Sequence, residues 1–244
     1  MIPYWLSRTE LLLGAETVGH MMEHHVLVVG LGGVGGICAE MIARGGVNRM
    51  TIVDADVVEL SNCNRQIPAL HSNEGRKKAE VMAERLKDIN PNIQLRVLPM
   101  FLDAEKTEEL FRHNHYDYAV DCIDTLSAKV AFLKTCLAHQ VPVVSALGAG
   151  GKVDPSQVQV ADISKTHQCK LAQAVRKKLH ESGIYTGFKA VFSPEQVDQS
   201  RVIVSEKAFP KKSLIGTISY MPAIFGCVCA SVVLRDIMKP SGTK

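Results

Sequence analysis

The hydrophobic positions of this chain fall into short continuous runs that are separated by longer amphipathic stretches. Short apolar runs bounded by glycine, proline or aspartate are typical of buried strands. They occur at residues 26–30, 50–54, 93–98, 117–122 and 142–146. Helical spacing is found between them, at residues 33–44, 75–89 and 126–139. This alternation predicts a Rossmann-like, doubly wound and mostly parallel α/β sheet.

The alternation becomes less regular after residue 150. The pattern there predicts strands at 157–163, 189–193 and 217–220, together with a basic amphipathic helix at 169–182. We expect these strands to extend the sheet in antiparallel fashion. The chain is therefore divided into a nucleotide-binding Rossmann half, residues 1–150, and a C-terminal lobe, residues 151–244, that completes the same domain.

One uncharged stretch, residues 213–234, is long enough to be considered as a membrane-spanning helix. Pro222 divides it, and glycine and hydroxyl side chains are scattered through it. We therefore expect no transmembrane segment but a buried helix over residues 223–237. Gly226 and Ala230 are spaced for close contact with another helix.

Composition agrees with an ordinary globular protein, because 46% of the 244 residues are hydrophobic and 22% are charged. Wholesale disorder is thereby excluded. Seven cysteines are too few for a disulfide scaffold, and residues 1–8 lack a basic run followed by an apolar core. A reduced, cytoplasmic location is expected.

The small net charge of +3 conceals an uneven distribution. Residues 1–150 hold 14 basic and 18 acidic side chains, whereas residues 151–244 hold 14 basic and 7 acidic ones, which gives −4 and +7. The basic half includes Arg176, Lys177, Lys178, Lys207, Lys211 and Lys212. Charge alone leaves two interpretations open: a surface that faces a polyanion, or a solvated lysine-rich face.

A glycine-rich loop follows the first predicted strand and opens a helix. Its glycines are Gly30, Gly32, Gly33 and Gly35. Glycine lets the backbone approach a phosphate closely, and the helix N-terminus offers unpaired N–H groups. Asp54 ends the second strand, where a carboxylate can accept the hydroxyls of a ribose. These features predict nucleotide binding but fit NAD, FAD and ATP equally.

The following segment adds cations that a dinucleotide site does not need. Asp56, Asn62, Arg65, Gln66 and Lys78 follow in order, a density suited to a triphosphate and a leaving pyrophosphate. The alternative is that residues 76–78 form a solvated helix face. Further on, Asp121 and Asp124 come at the end of a strand, where either could bind Mg²⁺, cap the next helix or bind backbone.

In this order the motifs resemble those of the ubiquitin-activating-enzyme-like adenylyltransferases, the superfamily of the ThiF, MoeB and HesA types. The motifs are Arg8 with 11–14, then 30–35, 54–56, 61–66, Lys78, 90–91 and 121–124. Members activate a carboxylate as its acyl-adenylate, so the resemblance implies ATP and Mg²⁺. It implies ATP contacts from Gly30, Gly32, Gly33, Gly35, Asp54, Asp56, Asn62, Arg65, Gln66 and Lys78.

The same resemblance implies individual roles. Arg8, Arg65, Lys78 and Asp124 correspond to the catalytic set, with Asp124 as the aspartate associated with Mg²⁺. Arg8 corresponds to an arginine that reaches into the partner subunit's site, which implies a homodimer.

The chain departs from the ThiF and MoeB types in its cysteines. Those types usually carry two Cys-x-x-Cys pairs for a structural zinc, and this sequence has none, so no zinc is expected. Cys227 and Cys229 are expected to pack in the core. No exposed catalytic cysteine is apparent, so transfer to an enzyme thiol is not expected.

The C-terminal half is similar to the tRNA threonylcarbamoyladenosine dehydratases, through residues 148–155, 161–167, 175–179, 190–195 and 216–222. In that family ATP activates the carboxylate of threonylcarbamoyladenosine in tRNA. The modification then closes to a cyclic form, and AMP and pyrophosphate leave. The resemblance suggests tRNA contacts from Lys165, His167, Arg176, Lys177 and Lys178. It leaves open a monovalent cation and a cysteine desulfurase or sulfur-acceptor partner.

Two other functions compete with this interpretation. One is adenylation of the C-terminal glycine of a ubiquitin-like sulfur carrier protein, against which the absent Cys-x-x-Cys pairs count. The other is a nicotinamide-dependent oxidoreductase or a nucleotide-sensing module on the same glycine loop. Arg65 and Lys78 argue against that class.

Overall fold

The computed structural model describes residues 1–198, 202–204 and 213–238. The strands are β1 His25–Val29, β2 Arg49–Val53, β3 Gln94–Leu98, β4 Tyr118–Asp121, β5 Val143–Ala146, β6 Gln159–Asp162, β7 Lys189–Phe192, β8 Val202–Val204 and β9 Ser213–Ile215. The helices are α1 Ser7–Leu13, α2 Ala15–Glu23, α3 Gly35–Arg44, α4 Lys78–Ile89, α5 Ala104–Arg112, α6 Leu126–Ala138, α7 Lys170–His180 and α8 Tyr220–Ile237.

Within the described residues, seven strands form one sheet in the order β3-β2-β1-β4-β5-β7-β6. Every neighbouring pair is parallel except β7 with β6, which is antiparallel. Strands β8 and β9 form a separate antiparallel pair. The predicted mostly parallel, doubly wound sheet with an antiparallel extension is confirmed. The chain leaves β1 towards β2 and returns to β4 on the other side, and ligands of open α/β sheets bind at such a switch point.

Side chains of the central strand alternate between two apolar layers. Val26 and Val28 face a cluster that includes α3, α4 and α8, whereas Leu27 and Val29 face one that includes α5, α6 and α7. All four side chains are buried. Burial on both faces explains why β1 reads as a continuous apolar run rather than an alternating one.

The sequence misplaced one strand near the C-terminus. Residues 217–219 lie in no strand, and Tyr220 already begins α8. The strand in this region is β9, which ends at Ile215. Pro222 does not break the helix because it lies in the first turn, where its missing N–H has no intrahelical acceptor to lose. Helices α1, α2 and α5 were not predicted.

Helix α8 packs closely on α3, as the predicted spacing of Gly226 and Ala230 required. A Cβ added at Gly226 would lie 2.4 Å from the Val34 carbonyl oxygen and 2.9 Å from the Ile37 Cβ. Ala230 is buried beside it. In the described part of the chain, α8 is the one helix long and apolar enough to cross a membrane, and half of it is buried.

Candidate nucleotide-binding site

The loop between β1 and α3 is built so closely that three of its positions accept only glycine. A Cβ at Gly35 would lie 1.7 Å from the Gly30 carbonyl oxygen, and one at Gly30 would lie 2.6 Å from the Cys122 carbonyl oxygen. Gly30 also has a φ of +88°, which favours glycine. A Cβ at Gly33 would lie 2.9 Å from the Pro222 Cβ. The loop is therefore held between β4 and the start of α8.

Gly32 differs from the other three glycines, because no described residue requires a glycine there. The nearest described atom to a Cβ built at Gly32 is the Gln66 Nε2, at 3.7 Å, an ordinary contact. Among the described residues, the buried Oε1 of Gln66 has no hydrogen-bond partner. No described side chain caps the N-terminus of α3, although the Gly36 N–H donates to the Gly32 carbonyl at 3.0 Å. The open space at Gly32, the unsatisfied amide oxygen of Gln66 and the uncapped N-terminus of α3 are features expected where a nucleotide binds.

Asp54 fixes the glycine loop to the end of β2. Its carboxylate accepts the N–H of Leu31 at 2.6 Å and the N–H of Asp56 at 2.8 Å. Burial raises the pKa of Asp54, and the two backbone hydrogen bonds act against that shift. A carboxylate has about four acceptor positions, so capacity for ribose hydroxyls remains.

Lys78 lies at the first position of α4 and is almost fully buried. Its Nζ is 2.9 Å from the Asp56 carboxylate, whose side chain is 69% exposed. Lys78 is therefore not part of a solvated face, whereas Arg76 forms an ion pair with Glu84 on the surface. Lys78 and Arg76 are two residues apart in the sequence but have different environments in the structure: Lys78 is buried at the site, and Arg76 is paired on the surface.

Arg65 and Asn62 lie in the loop between β2 and α4. Asn62 is buried, and its carbonyl oxygen accepts the N–H groups of Arg65 at 3.1 Å and Gln66 at 3.0 Å. The Arg65 Nη1 donates to the Ser61 carbonyl at 3.0 Å and to Asn64 at 2.8 Å. No salt bridge among the described residues neutralises Arg65, so its charge is available to phosphate.

The two aspartates after β4 have different environments. Asp121 is fully buried, and its carboxylate is 2.6 Å from the Lys129 Nζ and accepts the Ser145 hydroxyl at 2.5 Å. Lys129 also donates to the Ala146 carbonyl at 3.0 Å. Asp121 is thus committed to an internal network and is not the metal ligand that its position at the strand end allowed.

Asp124 is exposed, two residues beyond the Cys122 carbonyl that abuts Gly30. Its carboxylate accepts the Thr125 hydroxyl at 3.4 Å, and Thr125, not Asp124, occupies the N-cap position of α6. The Asp121 carboxylate accepts the Ile123 N–H at 3.0 Å and so orders the turn that carries Asp124. The described residues contain no group of three or more His, Cys, Asp or Glu that could hold a metal.

Cys122 follows β4 at this edge of the sheet, and its environment does not suit a nucleophile. Burial raises the pKa of Cys122 to about 12, with a smaller contribution from Asp121. A thiol with such a pKa is protonated and a poor nucleophile at neutral pH. In α8 the expected core packing holds for Cys229, which is buried, but not for Cys227, which is exposed.

Arg8 lies far from the glycine loop of its own chain. It is exposed on α1, two residues after Leu6, whose side chain is 3.3 Å from a Cβ built at Gly46. Gly46 follows the C-terminal end of α3, whereas the glycine loop precedes its N-terminal end. The ten residues of α3 separate these points by about 15 Å.

The suggested tRNA contacts all lie on or just before α7, but they do not share one pocket. His167 and Arg176 line a common pocket at the start of α7, whereas Lys165 and Lys177 are exposed outside its lining. Lys178 forms an ion pair with Glu181 at 3.0 Å. Of the other cations in this half, Lys207, Lys211 and Lys212 lie outside the described residues.

Lys129 and Ser145, which hold Asp121 at the end of β4, were not predicted. Lys152 and Glu195, which join the chain after β5 to the chain after β7, were not predicted either. Lys152 is buried and donates to the Ser193 and Glu195 carbonyls, while the Glu195 carboxylate accepts the N–H groups of Val153 and Asp154 at 3.0 Å. A lysine within an apolar helical stretch was the available signal for Lys129.

Comparison with known proteins places this architecture in a family. The ThiF family profile matches residues 6–243. The chain belongs to the ThiF family. This ThiF-family protein is 37% identical over 240 residues to a tRNA threonylcarbamoyladenosine dehydratase of Bacillus subtilis, with 96% of this chain and 94% of the relative covered. The Escherichia coli relative of the same name is 36% identical over 254 residues, with 96% and 94% covered.

Solved structures agree with this assignment. The E. coli tRNA N6-threonylcarbamoyladenosine dehydratase, TcdA, in complex with ATP superposes with a TM-score of 0.85 and 34% identity. The match covers 96% of this chain and 93% of that one. The same enzyme has been solved with AMP, also with a TM-score of 0.85. The sulfur carrier protein ThiS adenylyltransferase of E. coli is 33% identical but matches only 54% of this chain. The resemblance stated from the motifs is confirmed.

Proposed function

We propose that this ThiF-family protein catalyses the ATP-dependent dehydration of threonylcarbamoyladenosine in tRNA. The main support for this proposal is that the similarity to relatives named tRNA threonylcarbamoyladenosine dehydratase extends over nearly the whole chain, including the C-terminal half. The likeness to the ThiS adenylyltransferase stops at about half of the chain. The nucleotide site lies in the Rossmann half. We therefore expect the substrate to contact the C-terminal half, which distinguishes the dehydratase relatives from the ThiS adenylyltransferase.

The proposed chemistry needs only groups at the carboxyl edge of the sheet and the substrate itself. The threonyl carboxylate attacks the α-phosphorus of ATP, and pyrophosphate leaves with the electron pair of the broken P–O bond. An atom of the carbamoyl group then attacks the activated acyl carbon, an N–H proton of that group passes to solvent, and AMP leaves with the former carboxylate oxygen. Ring closure is intramolecular, so proximity favours it and no enzyme thiol is required.

The main residues of the site have the following roles in this proposal. Asp54 holds the ribose, while the glycine loop and the N-terminus of α3 hold phosphate oxygens. Arg65 and Lys78 stabilise the charge that develops on the leaving pyrophosphate. Asp124 is the proposed Mg²⁺ ligand, since of the two aspartates after β4 it is the exposed one and it lies beside the loop. Bound Mg²⁺ would neutralise phosphate charge.

Arg8 is proposed to act on a second copy of the chain. In its own chain it lies at the far end of α3, as shown above. The N-terminal segment also exposes large apolar side chains, among them Tyr4, Leu11 and Leu12. An exposed apolar surface of this kind favours association, so a homodimer is proposed in which Arg8 completes the partner's site.

The test is formation of AMP and pyrophosphate from ATP with threonylcarbamoylated tRNA, compared with the same tRNA lacking the modification. Arg65→Ala should lower the rate by about 100-fold or more, the usual effect of removing a group that stabilises developing charge. Asp124→Ala should also abolish the reaction. Arg235→Ala is the matched control, since Arg235 likewise donates to a carbonyl four residues earlier, Ser231, but lies on α8.

Three outcomes would contradict the proposal. One is the absence of modification-dependent AMP formation by the wild-type protein. Another is turnover that depends on a ubiquitin-like sulfur carrier instead, which would favour adenylation of a protein C-terminus. Wild-type rates in Arg65→Ala would show that the triphosphate lies elsewhere.

A further inference from the structure

A second pocket lies beside the proposed active site, at the start of α7. It has a volume of about 500 Å³ and is lined by His167, Gln168, Lys170, Gln173, Arg176 and Gln196, among others. None of the described residues that line it carries a carboxylate. We refer to it as the α7 pocket.

The side chains of the α7 pocket suit a nucleobase with its phosphate. Gln168, Gln173 and Gln196 each present a donor and an acceptor, the combination that the hydrogen-bonding edge of a base requires. Lys170 and Arg176 provide positive charge for a phosphate oxygen. Single-stranded RNA is recognised in this way, through the edges and faces of unpaired bases and through the backbone.

His167 is positioned to offer a stacking surface. Its ring meets the buried Phe192 edge-on, with centroids 5.4 Å apart and an interplanar angle of 78°. The Nδ1 lies 3.3 Å from the Lys165 carbonyl oxygen. The imidazole is itself exposed. Histidine is among the side chains on which RNA bases stack.

The wall of the α7 pocket is fixed rather than loose. The Arg176 guanidinium donates to the Thr166 carbonyl at 2.8 Å and also to its hydroxyl. Gln168 has a φ of +51°, which a residue other than glycine adopts only when its surroundings hold it there. The next residue, Cys169, is buried with its Sγ 3.8 Å from the Leu147 carbonyl.

The position of the α7 pocket relates it to the nucleotide site. The glycine loop follows β1 and Asp124 follows β4, while the pocket is closed by the chain after β5, where Cys169 meets Leu147, and by Gln196 after β7. These strands are consecutive neighbours in the sheet. At about 4.8 Å per strand, the pocket lies roughly 10–15 Å from the glycine loop. A few nucleotides span that distance, at roughly 3.4 Å each in a stacked strand.

We propose that the α7 pocket binds a nucleotide of single-stranded RNA that flanks the modified adenosine, with its base against His167 and Gln173. This inference rests on the proposed function for the identity of the RNA. The pocket itself, however, predicts nucleotide binding whatever reaction follows.

The test compares two double variants in binding to a fluorescent RNA stem-loop that carries threonylcarbamoyladenosine in its single-stranded loop. His167→Ala with Gln173→Ala should weaken binding about tenfold, as expected for loss of one stacked base. His180→Ala with Gln94→Ala is the matched control. His180 is also an exposed histidine against an aromatic ring, Tyr185, and Gln94 is exposed on the opposite edge strand. The control should bind like the wild type. ATP affinity, measured on the same preparations, reports whether the fold is intact.

The outcomes separate the two proposals. Equal stem-loop affinity of the two double variants, or no binding of the stem-loop by the wild type, overturns the α7 pocket as an RNA subsite. Weakened binding in the pocket variant, without modification-dependent AMP formation by the wild type, retains the subsite and refutes the dehydratase. Uridine and cytidine monophosphates are assayed alongside, with the nucleotide site saturated by ATP. If either binds as tightly as the stem-loop does, the pocket holds a free nucleotide and the proposal of an RNA subsite is overturned.

Discussion

The crossing of α3 and α8 provides a direct test of how the fold supports the nucleotide site. In Gly226→Ala, the new Cβ would lie 2.4 Å from the Val34 carbonyl oxygen, whereas carbon and oxygen normally approach no closer than about 3.3 Å. The helices must therefore separate by roughly 1 Å. Val34 lies within the glycine loop, at the N-cap of α3, and its carbonyl accepts the N–H of Cys38 at 3.0 Å.

The energetic effect can be isolated with a second glycine. Gly19 lies inside α2, and nothing lies within 4 Å of a Cβ built there. Both substitutions gain about 1 kcal/mol of helix propensity, but only Gly226→Ala adds an overpacking cost of about 1–3 kcal/mol. We therefore expect Gly226→Ala to have a free energy of unfolding about 1–3 kcal/mol below that of Gly19→Ala. For a chain of this length each kcal/mol lowers the melting temperature by about 2–4 °C.

Urea unfolding of both variants and of the wild type measures this difference, and ATP titration measures its functional consequence. Because the displaced carbonyl adjoins the glycine loop, Gly226→Ala should bind ATP more weakly than Gly19→Ala. Equal unfolding free energies for the two variants would refute the close crossing. A stability loss with unchanged ATP affinity would show that α8 does not position the loop.

Two further predictions concern a buried carboxylate and the subunit arrangement. Burial would raise the pKa of Glu40, but hydrogen bonds from Arg85 and Arg44 outweigh burial, and the pKa is lowered. A carboxyl group with a lowered pKa stabilises the folded protein at pH values above its ordinary pKa of about 4.3, and this stabilisation is lost as the pH falls. Glu40→Gln should therefore unfold at lower urea than the wild type at pH 7, and a difference that does not shrink below about pH 4 would contradict this assignment. If Arg8 completes the partner's site, mixing inactive Arg8→Ala with inactive Asp124→Ala chains should restore about one quarter of the sites, each with Asp124 from one chain and Arg8 from the other. Persistent inactivity of the exchanged mixture would place Arg8 in its own site or in none.

Local pattern was sufficient for most of the sheet and for the glycine loop. The requirement for glycine at Gly30 and Gly35 follows from a strand–turn–helix connection whose parts are adjacent in sequence. Helix α1 was missed because it exposes Leu11 and Leu12 and buries none of its residues. Its apolar positions therefore do not form the one-sided stripe of a helix that packs on the core of its own chain. The strand expected at 217–220 failed because β9 already ends at Ile215, and residues 216–219 connect it to α8, which begins at Tyr220.

The roles of Asp121 and Asp124 depend on contacts that no local pattern encodes. Both follow the same strand, and either carboxylate suits a metal. What separates them is Lys129, one turn into the next helix, and Ser145, from the neighbouring strand, which together satisfy Asp121 inside the sheet. A buried charge persists only when it is paired, so Lys129 commits Asp121 to the interior, whereas Asp124 is exposed.

The same reasoning changes what the charge of the C-terminal half implies. Its excess of positive charge left open a polyanion-facing surface or a solvated face, but three of its described cations already have partners: Lys178 is paired with Glu181, Lys189 with Asp236, and Lys152 is buried on backbone carbonyls. A cation that already has a carboxylate partner adds little to phosphate binding, because the pair must first be broken. The affinity for RNA should then depend less on total charge than on the α7 pocket, where Arg176 is held by neutral acceptors and keeps its charge. A binding constant that falls only moderately with salt, yet strongly on substitution of His167, would be the signature of such a site.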